Sequence, residues 1–141
     1  MKAKVAIIAL LAAVLPQAAA AQQQQQPQTP EQREKLLYEN IQKQVDELAS
    51  RLDLEDWQVF YADSILTRNF TDLTKEFEKQ NANKVSDSSI YQLLQDECAE
   101  KNYLAFKAIL SEEQWAKYLK QGAGRAKKDR DRRAAKRQQK P

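Results

Sequence analysis

The sequence predicts an all-α fold with about four helices in antiparallel hairpins, and three observations carry this prediction. From Thr29 to Gln121 the chain contains no glycine, and Pro30 is its only proline. The same stretch has few runs of β-branched residues, so it lacks both the breakers and the composition that accompany β-strands. Apolar residues recur there three and four positions apart, which places them on one face of each helix.

The first helix is predicted to begin at Thr29. This residue is a suitable N-cap, Pro30 suits the first helical position, and Gln32 completes a capping box. Apolar side chains then follow three or four positions apart, which lays a single stripe along one face. The stripe consists of Leu37, Ile41, Val45, Leu48 and Leu52.

The second helix is expected to follow Asp53, which we assign as its N-cap. It is predicted to end in the segment KQNANK at 79–84, whose two asparagines favour a turn. Its apolar face is wide and rich in aromatic side chains. That face comprises Trp57, Phe60, Tyr61, Ile65, Leu66, Phe70, Leu73 and Phe77.

Caps also locate the third and fourth helices. Ser86 is the predicted cap of the third helix and Ser111 that of the fourth. The fourth helix meets the chain's only two glycines, at 122 and 124, which end or weaken it. Apolar positions of the two helices are Ile90, Leu94, Cys98, Ala105 and Ile109, followed by Trp115, Tyr118 and Leu119.

The internal helix starts share a further device, the hydrophobic staple. In a staple, the residue before the N-cap packs on the fourth helical residue and fixes the angle at which the chain enters the helix. Helical hairpins of a compact fold need such fixed angles. The predicted pairs are Leu52 with Trp57, Val85 with Ile90, and Leu110 with Trp115.

The beginning of the chain has the layout of a secretory signal peptide. Lys2 and Lys4 precede an apolar run at 5–15, and small residues offer cleavage near Ala20 or Ala21. The alternative is a membrane anchor, but a bilayer span takes about 20 apolar residues and this run is much shorter. We therefore expect a periplasmic or secreted protein with no transmembrane span after cleavage.

Composition divides the chain into four segments with different charge. From residue 125 onward there are nine Lys or Arg and two Asp, a net charge of +7, whereas residues 22–124 carry a net charge of −6. The positive charge of the whole chain therefore belongs to its tail. The predicted segments are a signal peptide at 1–21, a glutamine-rich linker at 22–28, a helical domain at 29–122 and a basic tail at 123–141.

The basic tail has no apolar stripe, so we expect it to be solvated and partly helical or disordered. One interpretation is attachment to an anionic surface, such as acidic lipid headgroups or a polyanionic glycan. Nucleic acid is not expected, because the chain is exported and its tail lacks stacking aromatic residues. The alternative is a solubilising tail that folds back on the acidic body. The candidate anion-binding residues are Arg125, Lys127, Lys128, Arg130, Arg132 and Arg133.

The residue types that catalysis and metal binding use most often are scarce. There is no histidine, which removes the usual general base and the commonest metal ligand. There is no glycine-rich phosphate loop, and Cys98 has no histidine to activate it. We therefore expect a non-enzymatic protein without catalytic residues, cofactor or metal site. Cys98, the only cysteine, is interpreted as a buried hydrophobe. The alternative is a disulfide bond between the Cys98 residues of two copies in a dimer.

Two short stretches resemble a known motif. LSEEQ at 110–114 resembles the LTxxQ motif of the Spy/CpxP-like periplasmic proteins, with Ser111 in place of threonine. LEDWQ at 54–58 keeps the leucine and the glutamine but has Glu55 at the threonine position. The motif also describes a stapled capping box, so these residues are helix-cap residues first. They are Leu52, Asp53, Trp57, Gln58, Leu110, Ser111, Gln114 and Trp115.

The resemblance implies a homodimeric helical cradle in the periplasm. Such a protein would bind partly unfolded or envelope proteins without ATP, or regulate an envelope stress sensor. Candidate partner-binding residues are the aromatic side chains of the second helix, unless they all pack inward. They are Phe60, Tyr61, Phe70 and Phe77. A structural or adaptor role, with the helices completing another protein's bundle, is the remaining hypothesis.

Overall fold

The structure, a computed structural model, describes residues 29–139 and is all-α in this part of the chain. The predicted signal peptide at 1–21 and the linker at 22–28 lie outside the described residues. A kinked segment, Leu119–Ala123, joins the last two helices. The α-helices are α1 (Pro30–Leu52), α2 (Asp56–Ala82), α3 (Ser88–Ile109), α4 (Glu112–Tyr118) and α5 (Gly124–Gln138).

The chain divides into two compact units, Met1–Lys35 and Leu36–Pro141. In the first unit, residues 29–35 are described, and they contain the predicted start of α1. The Thr29 amide donates to Gln32 Oε1 at 2.9 Å, and the Gln32 amide donates to Thr29 Oγ1 at 3.2 Å. The predicted capping box is therefore confirmed.

In the second unit, the core is built from one stripe on each of α1, α2 and α3. Ile41, Val45 and Leu52 of α1 are buried, and Leu37 and Leu48 are partly buried beside the core, so the predicted stripe is confirmed. Burial of each large aliphatic side chain stabilises the fold by about 1.5–3 kcal/mol. The stripes of the other two helices contribute Ala62, Ile65, Leu66 and Phe106.

The corner between α1 and α2 corrects two predictions. Asp53 is not the N-cap of α2: its φ is 52°, the left-handed conformation that aspartate tolerates, and the Leu54 amide donates to Ala49 O at 3.1 Å. Asp53 therefore ends α1 in a Schellman motif. The N-cap of α2 is Glu55. The predicted staple of Leu52 with Trp57 is consequently wrong.

The corner between α2 and α3 follows the same plan. Lys84 has a φ of 55°, and the Val85 amide donates to Gln80 O at 3.0 Å, so α2 ends in the predicted turn region. The N-cap of α3 is Asp87, whose carboxylate accepts from the Ser89 amide at 2.9 Å. The prediction of Ser86 as the cap, with a staple from Val85 to Ile90, is one residue early.

α2 and α3 form an antiparallel hairpin. Asn69 Nδ2 donates to Asn102 Oδ1 at 2.7 Å, and the rings of Phe77 and Tyr91 lie 5.4 Å apart between centroids. The contact later in α2, at Phe77, is made to a residue earlier in α3, at Tyr91, so the two helices run in opposite directions. Cys98 is buried in this hairpin, its Sγ donates to Asn69 O at 3.5 Å, and burial raises the pKa of its thiol. The interpretation of Cys98 as a buried hydrophobe is confirmed.

The helical path after α4 is broken by a kink at Gly122. Ser111 caps α4 as predicted, and the segment at 119–123 leads from α4 into α5. Gly122 has a φ of 119°, a conformation that residues with a side chain rarely adopt. Most of the basic tail forms a separate helix of 15 residues after this kink.

Candidate functional site

The two motif stretches form the same local structure. In α4, the Gln114 amide donates to Ser111 Oγ at 3.2 Å, and the Ser111 amide donates to Gln114 Oε1 at 3.0 Å. In α2, the Glu55 amide donates to Gln58 Oε1 at 2.9 Å. Glu55 thus occupies the position of the motif's hydroxyl residue, and each glutamine lies at the third helical position.

The glutamines of the two motifs also bind each other. Gln58 Nε2 donates to Gln114 Oε1 at 2.7 Å, and Gln114 Nε2 donates to Gln58 Oε1 at 2.9 Å. Each amide nitrogen then reaches the carbonyl just before the other motif: Gln58 donates to Ile109 O at 2.9 Å, and Gln114 donates to Asp53 O at 3.2 Å. The two motifs are therefore related by a local twofold arrangement.

We call Gln58 and Gln114, with the hydrogen bonds that join them, the brace. The brace is largely shielded from water. Gln58 is only 3 % exposed, and Gln114 is partly buried. Among the described residues, no buried side-chain nitrogen or oxygen lacks a hydrogen-bond partner. A buried amide without partners costs about 1–3 kcal/mol, so each glutamine depends on the other. The brace holds the start of α2 against the start of α4.

The apolar residues of the motifs divide between core and surface. Leu54, Leu110 and Trp115 pack partly buried against the core. The ring centroid of Trp115 lies 4.9 Å from that of Tyr103. Trp57, by contrast, remains 48 % exposed. Trp57 is thus a surface residue, whereas the predicted staple required it to pack on Leu52.

Three aromatic side chains in the first turns of α2 form an exposed patch. Trp57 is 48 %, Phe60 68 % and Tyr61 50 % exposed. The Tyr61 ring meets Trp57 edge-on at 6.1 Å and Phe60 at 5.8 Å between centroids. Trp57 Nε1 also donates to the N-cap carboxylate, Glu55 Oε2, at 2.6 Å. We call these three residues the aromatic patch.

The other two candidate partner-binding residues do not belong to this patch. Phe70 is partly buried against the core, and Phe77 is partly buried with its ring against Tyr91. The expectation of surplus apolar surface on α2 therefore holds for Phe60 and Tyr61. It fails for Phe70 and Phe77, because both rings find neighbours within the bundle.

α5 packs against α3 through ion pairs. Arg133 donates from Nε and Nη2 to the two oxygens of Asp96 at 2.9 and 2.7 Å, and Arg137 Nη1 donates to the same carboxylate at 3.2 Å. Asp96 is buried. The hydrogen bond from Arg133 lowers the pKa of Asp96 against the opposing effect of burial, and Arg137 lowers it further.

A second carboxylate one turn along α3 extends the contact. Glu100 Oε2 accepts from Arg130 Nε at 3.3 Å and Nη2 at 3.1 Å, and Lys127 Nζ lies 3.2 Å from Glu100 Oε1. Arg130 is only 8 % exposed, and its guanidinium lies over the Tyr103 ring at 5.6 Å. The inner face of α5 is thus a basic stripe matched to an acidic stripe on α3.

The remaining basic residues of α5 point away from this contact. Arg125, Lys128, Arg132 and Lys136 are exposed and lie three or four positions apart, so they share one helix face. Arg132 pairs with Asp129 on its own helix at 2.7 Å. The predicted anion-binding residues therefore divide into an inner set that binds α3 and an outer set that faces solvent.

Two features of this arrangement were missed by the sequence reasoning. A capping box explains a glutamine within its own helix, so nothing local indicated that Gln58 and Gln114 would meet. The second is that α5, which has no apolar stripe, packs on α3 through a charged one. The sequence does contain a signal for this contact. The inner-face cations lie three or four positions apart, and Asp96 and Glu100 lie four apart, so each set occupies one helix face.

None of the helices in residues 29–139 has the length and apolar character of a membrane span. The same residues contain no group of three or more Cys, Asp or Glu arranged to hold a metal ion. Comparison of the chain with protein-family models, with curated proteins and with solved structures finds no match.

Proposed function

We propose that the chain is an exported, non-enzymatic protein-binding module that is chaperone-like or related to envelope stress. It holds partly unfolded or envelope proteins on the aromatic patch. Export to the periplasm or beyond is inferred from the leader-like residues 1–21, and a homodimer from the resemblance to the LTxxQ proteins. The observation that carries the proposal is the exposure of the aromatic patch.

The geometry of the patch suits binding of apolar segments. Large exposed apolar groups that lie together on a monomer mark interaction surfaces, and tryptophan and tyrosine dominate the binding energy of interfaces. Here the rings restrain one another edge-on, and the Trp57 indole is also held by Glu55 at 2.6 Å. Less side-chain entropy is therefore lost when a partner docks.

The first test measures suppression of client aggregation. The mature chain is mixed with an aggregating client at equal molarity, and light scattering is followed. We expect suppression by the natural protein and its loss in the Phe60→Ser/Tyr61→Ser variant, because both side chains are exposed and leave the core unchanged.

The matched control is Tyr38→Ser, since Tyr38 is also an exposed aromatic residue but lies on α1. This variant should suppress aggregation as the natural protein does. Absence of suppression by the natural protein, or equal loss in both variants, would sink the proposal.

A second candidate function is that of an envelope structural or adaptor protein attached to an anionic surface. The observation favouring it is the outer face of α5, where Arg125, Lys128 and Lys136 are exposed while the inner-face cations are paired with α3. Each lysine or arginine near an acidic lipid surface contributes about 1 kcal/mol of attraction. Attachment through this face would be weak, electrostatic and salt-sensitive.

Its test is co-sedimentation with vesicles containing acidic lipid at low and high salt. The Arg125→Gln/Lys128→Gln/Lys136→Gln variant should lose binding at low salt, and the natural protein should lose it at high salt. The matched control Lys75→Gln/Lys79→Gln/Lys84→Gln removes the same charge from exposed positions elsewhere. Equal binding of the outer-face variant and the control would rule this function out.

A further inference from the structure

A cavity opens where α1, α3, the kinked segment at 119–123 and α5 come together. Its volume is about 330 Å³, at the lower end of the range for small-molecule sites. Leu48, Leu66, Phe106 and Tyr118 supply much of its apolar wall. Burial raises the pKa of the Tyr118 hydroxyl, so this group is neutral at neutral pH. The cavity is thus mainly apolar, as ligand pockets usually are.

One wall of the cavity carries a buried cation. Arg130 lines the cavity and is only 8 % exposed. Its Nε and Nη2 donate to Glu100 Oε2, and neither of these two hydrogen bonds uses its Nη1. A guanidinium nitrogen in an apolar setting forms strong, charge-assisted hydrogen bonds with a carboxylate. Arg51 and Glu47 also line the cavity, and their charges offset each other because they pair at 3.8 Å.

We propose that this cavity binds a small amphipathic carboxylate, with its apolar chain against Leu48, Leu66 and Phe106 and its carboxylate on Arg130. A medium-chain fatty acid has this chemistry. The ligand fills apolar space that no side chain occupies, and its carboxylate accepts a hydrogen bond from Nη1 of Arg130, which the pairing with Glu100 does not use. This site is distinct from the aromatic patch, so it stands or falls independently of the proposed function.

The test uses decanoate as the probe, with decanol and decylamine as matched ligands of the same chain length. Trp115 reports binding, because its ring centroid lies 4.9 Å from Tyr103 and 5.5 Å from Tyr118, both of which line the cavity. The Trp57→Phe background leaves Trp115 as the single tryptophan of the mature chain. We expect decanoate to shift the emission of Trp115 and to give binding heat in calorimetry, decanol to bind more weakly, and decylamine not to bind.

Three variants and one control variant locate the site. Ala99→Phe and Ala126→Leu place bulk in the cavity wall and should each weaken decanoate binding about tenfold or more, whereas Ala108→Phe, exposed on the same helix as Ala99, should leave it unchanged. Arg130→Gln should weaken decanoate about tenfold and leave decanol unchanged. Two different wall variants are used so that misfolding of one, visible by circular dichroism, leaves the other as the test.

Four results would overturn the proposal. The first is the absence of decanoate binding to the natural protein. The second is equal binding of decylamine. The third is an unchanged affinity in a folded wall variant. The fourth is loss of both decanoate and decanol in a folded Arg130→Gln variant.

Discussion

At the scale of single residues, Gln58 and Gln114 each perform two tasks. Each Oε1 completes a capping box and accepts from the opposite amide, and each Nε2 donates to the opposite glutamine and to a backbone carbonyl. A capping box alone requires only an acceptor at this position, which glutamate also supplies. The donor function of the amide is therefore what distinguishes the brace from an ordinary cap.

This distinction predicts different outcomes for the same substitution at two caps. Gln114→Glu keeps the acceptor for the Ser111 amide but loses both hydrogen bonds donated by Nε2, so it should lower the free energy of unfolding by about 1–3 kcal/mol. Gln32→Glu preserves the capping box of α1 and should change stability little. Urea denaturation at neutral pH measures both. Equal losses in the two variants would contradict the paired role of Gln114.

At the scale of elements, α5 shows how a helix without an apolar stripe can still pack. Its inner-face cations match Asp96 and Glu100 on α3, and the alkyl stems of arginine and lysine cover apolar surface beside the charges. Tyr103 lies beneath two of these cations, at 5.6 Å from Arg130 and 5.8 Å from Lys127. Such cation–π contacts add to the attraction of the ion pairs.

The contact between α5 and α3 should depend on pH. Because the folded pKa of Asp96 lies below its ordinary value of about 3.9, its ion pairs stabilise the fold above that value, and this contribution is lost as pH falls through the folded pKa. At neutral pH, Asp96→Asn should remove the ionic attraction to Arg133 and Arg137 and increase hydrogen exchange of the α5 amides. Lowering the pH should produce the same increase in the natural protein.

Asp129→Asn is the control for this prediction. Asp129 pairs with Arg132 on the solvent side of α5, where an exposed ion pair contributes little. Its substitution should leave the exchange of the α5 amides unchanged. Unchanged exchange in Asp96→Asn would instead mean that apolar contacts alone hold α5.

At the scale of the whole molecule, the sequence predicts the features that depend on residues close together in the chain. The stripe of α1, the cap at Ser111 and the burial of Cys98 follow from spacing and local chemistry. Asp53 was misassigned because aspartate suits both an N-cap and a left-handed helix end, and only the fold decides between them. The brace and the cavity require partners more than 40 residues away, which no local pattern reveals.

A bend at Gly122 sets the direction of the chain after α4. The φ of 119° at Gly122 lies outside the helical range, so α4 and α5 are two helices joined at a kink. Beyond the kink, α5 lies with one face on the carboxylates of α3 and the other in solvent. A residue with a side chain would be strained at position 122, so the placement of the cations that stay available to a partner depends on one glycine.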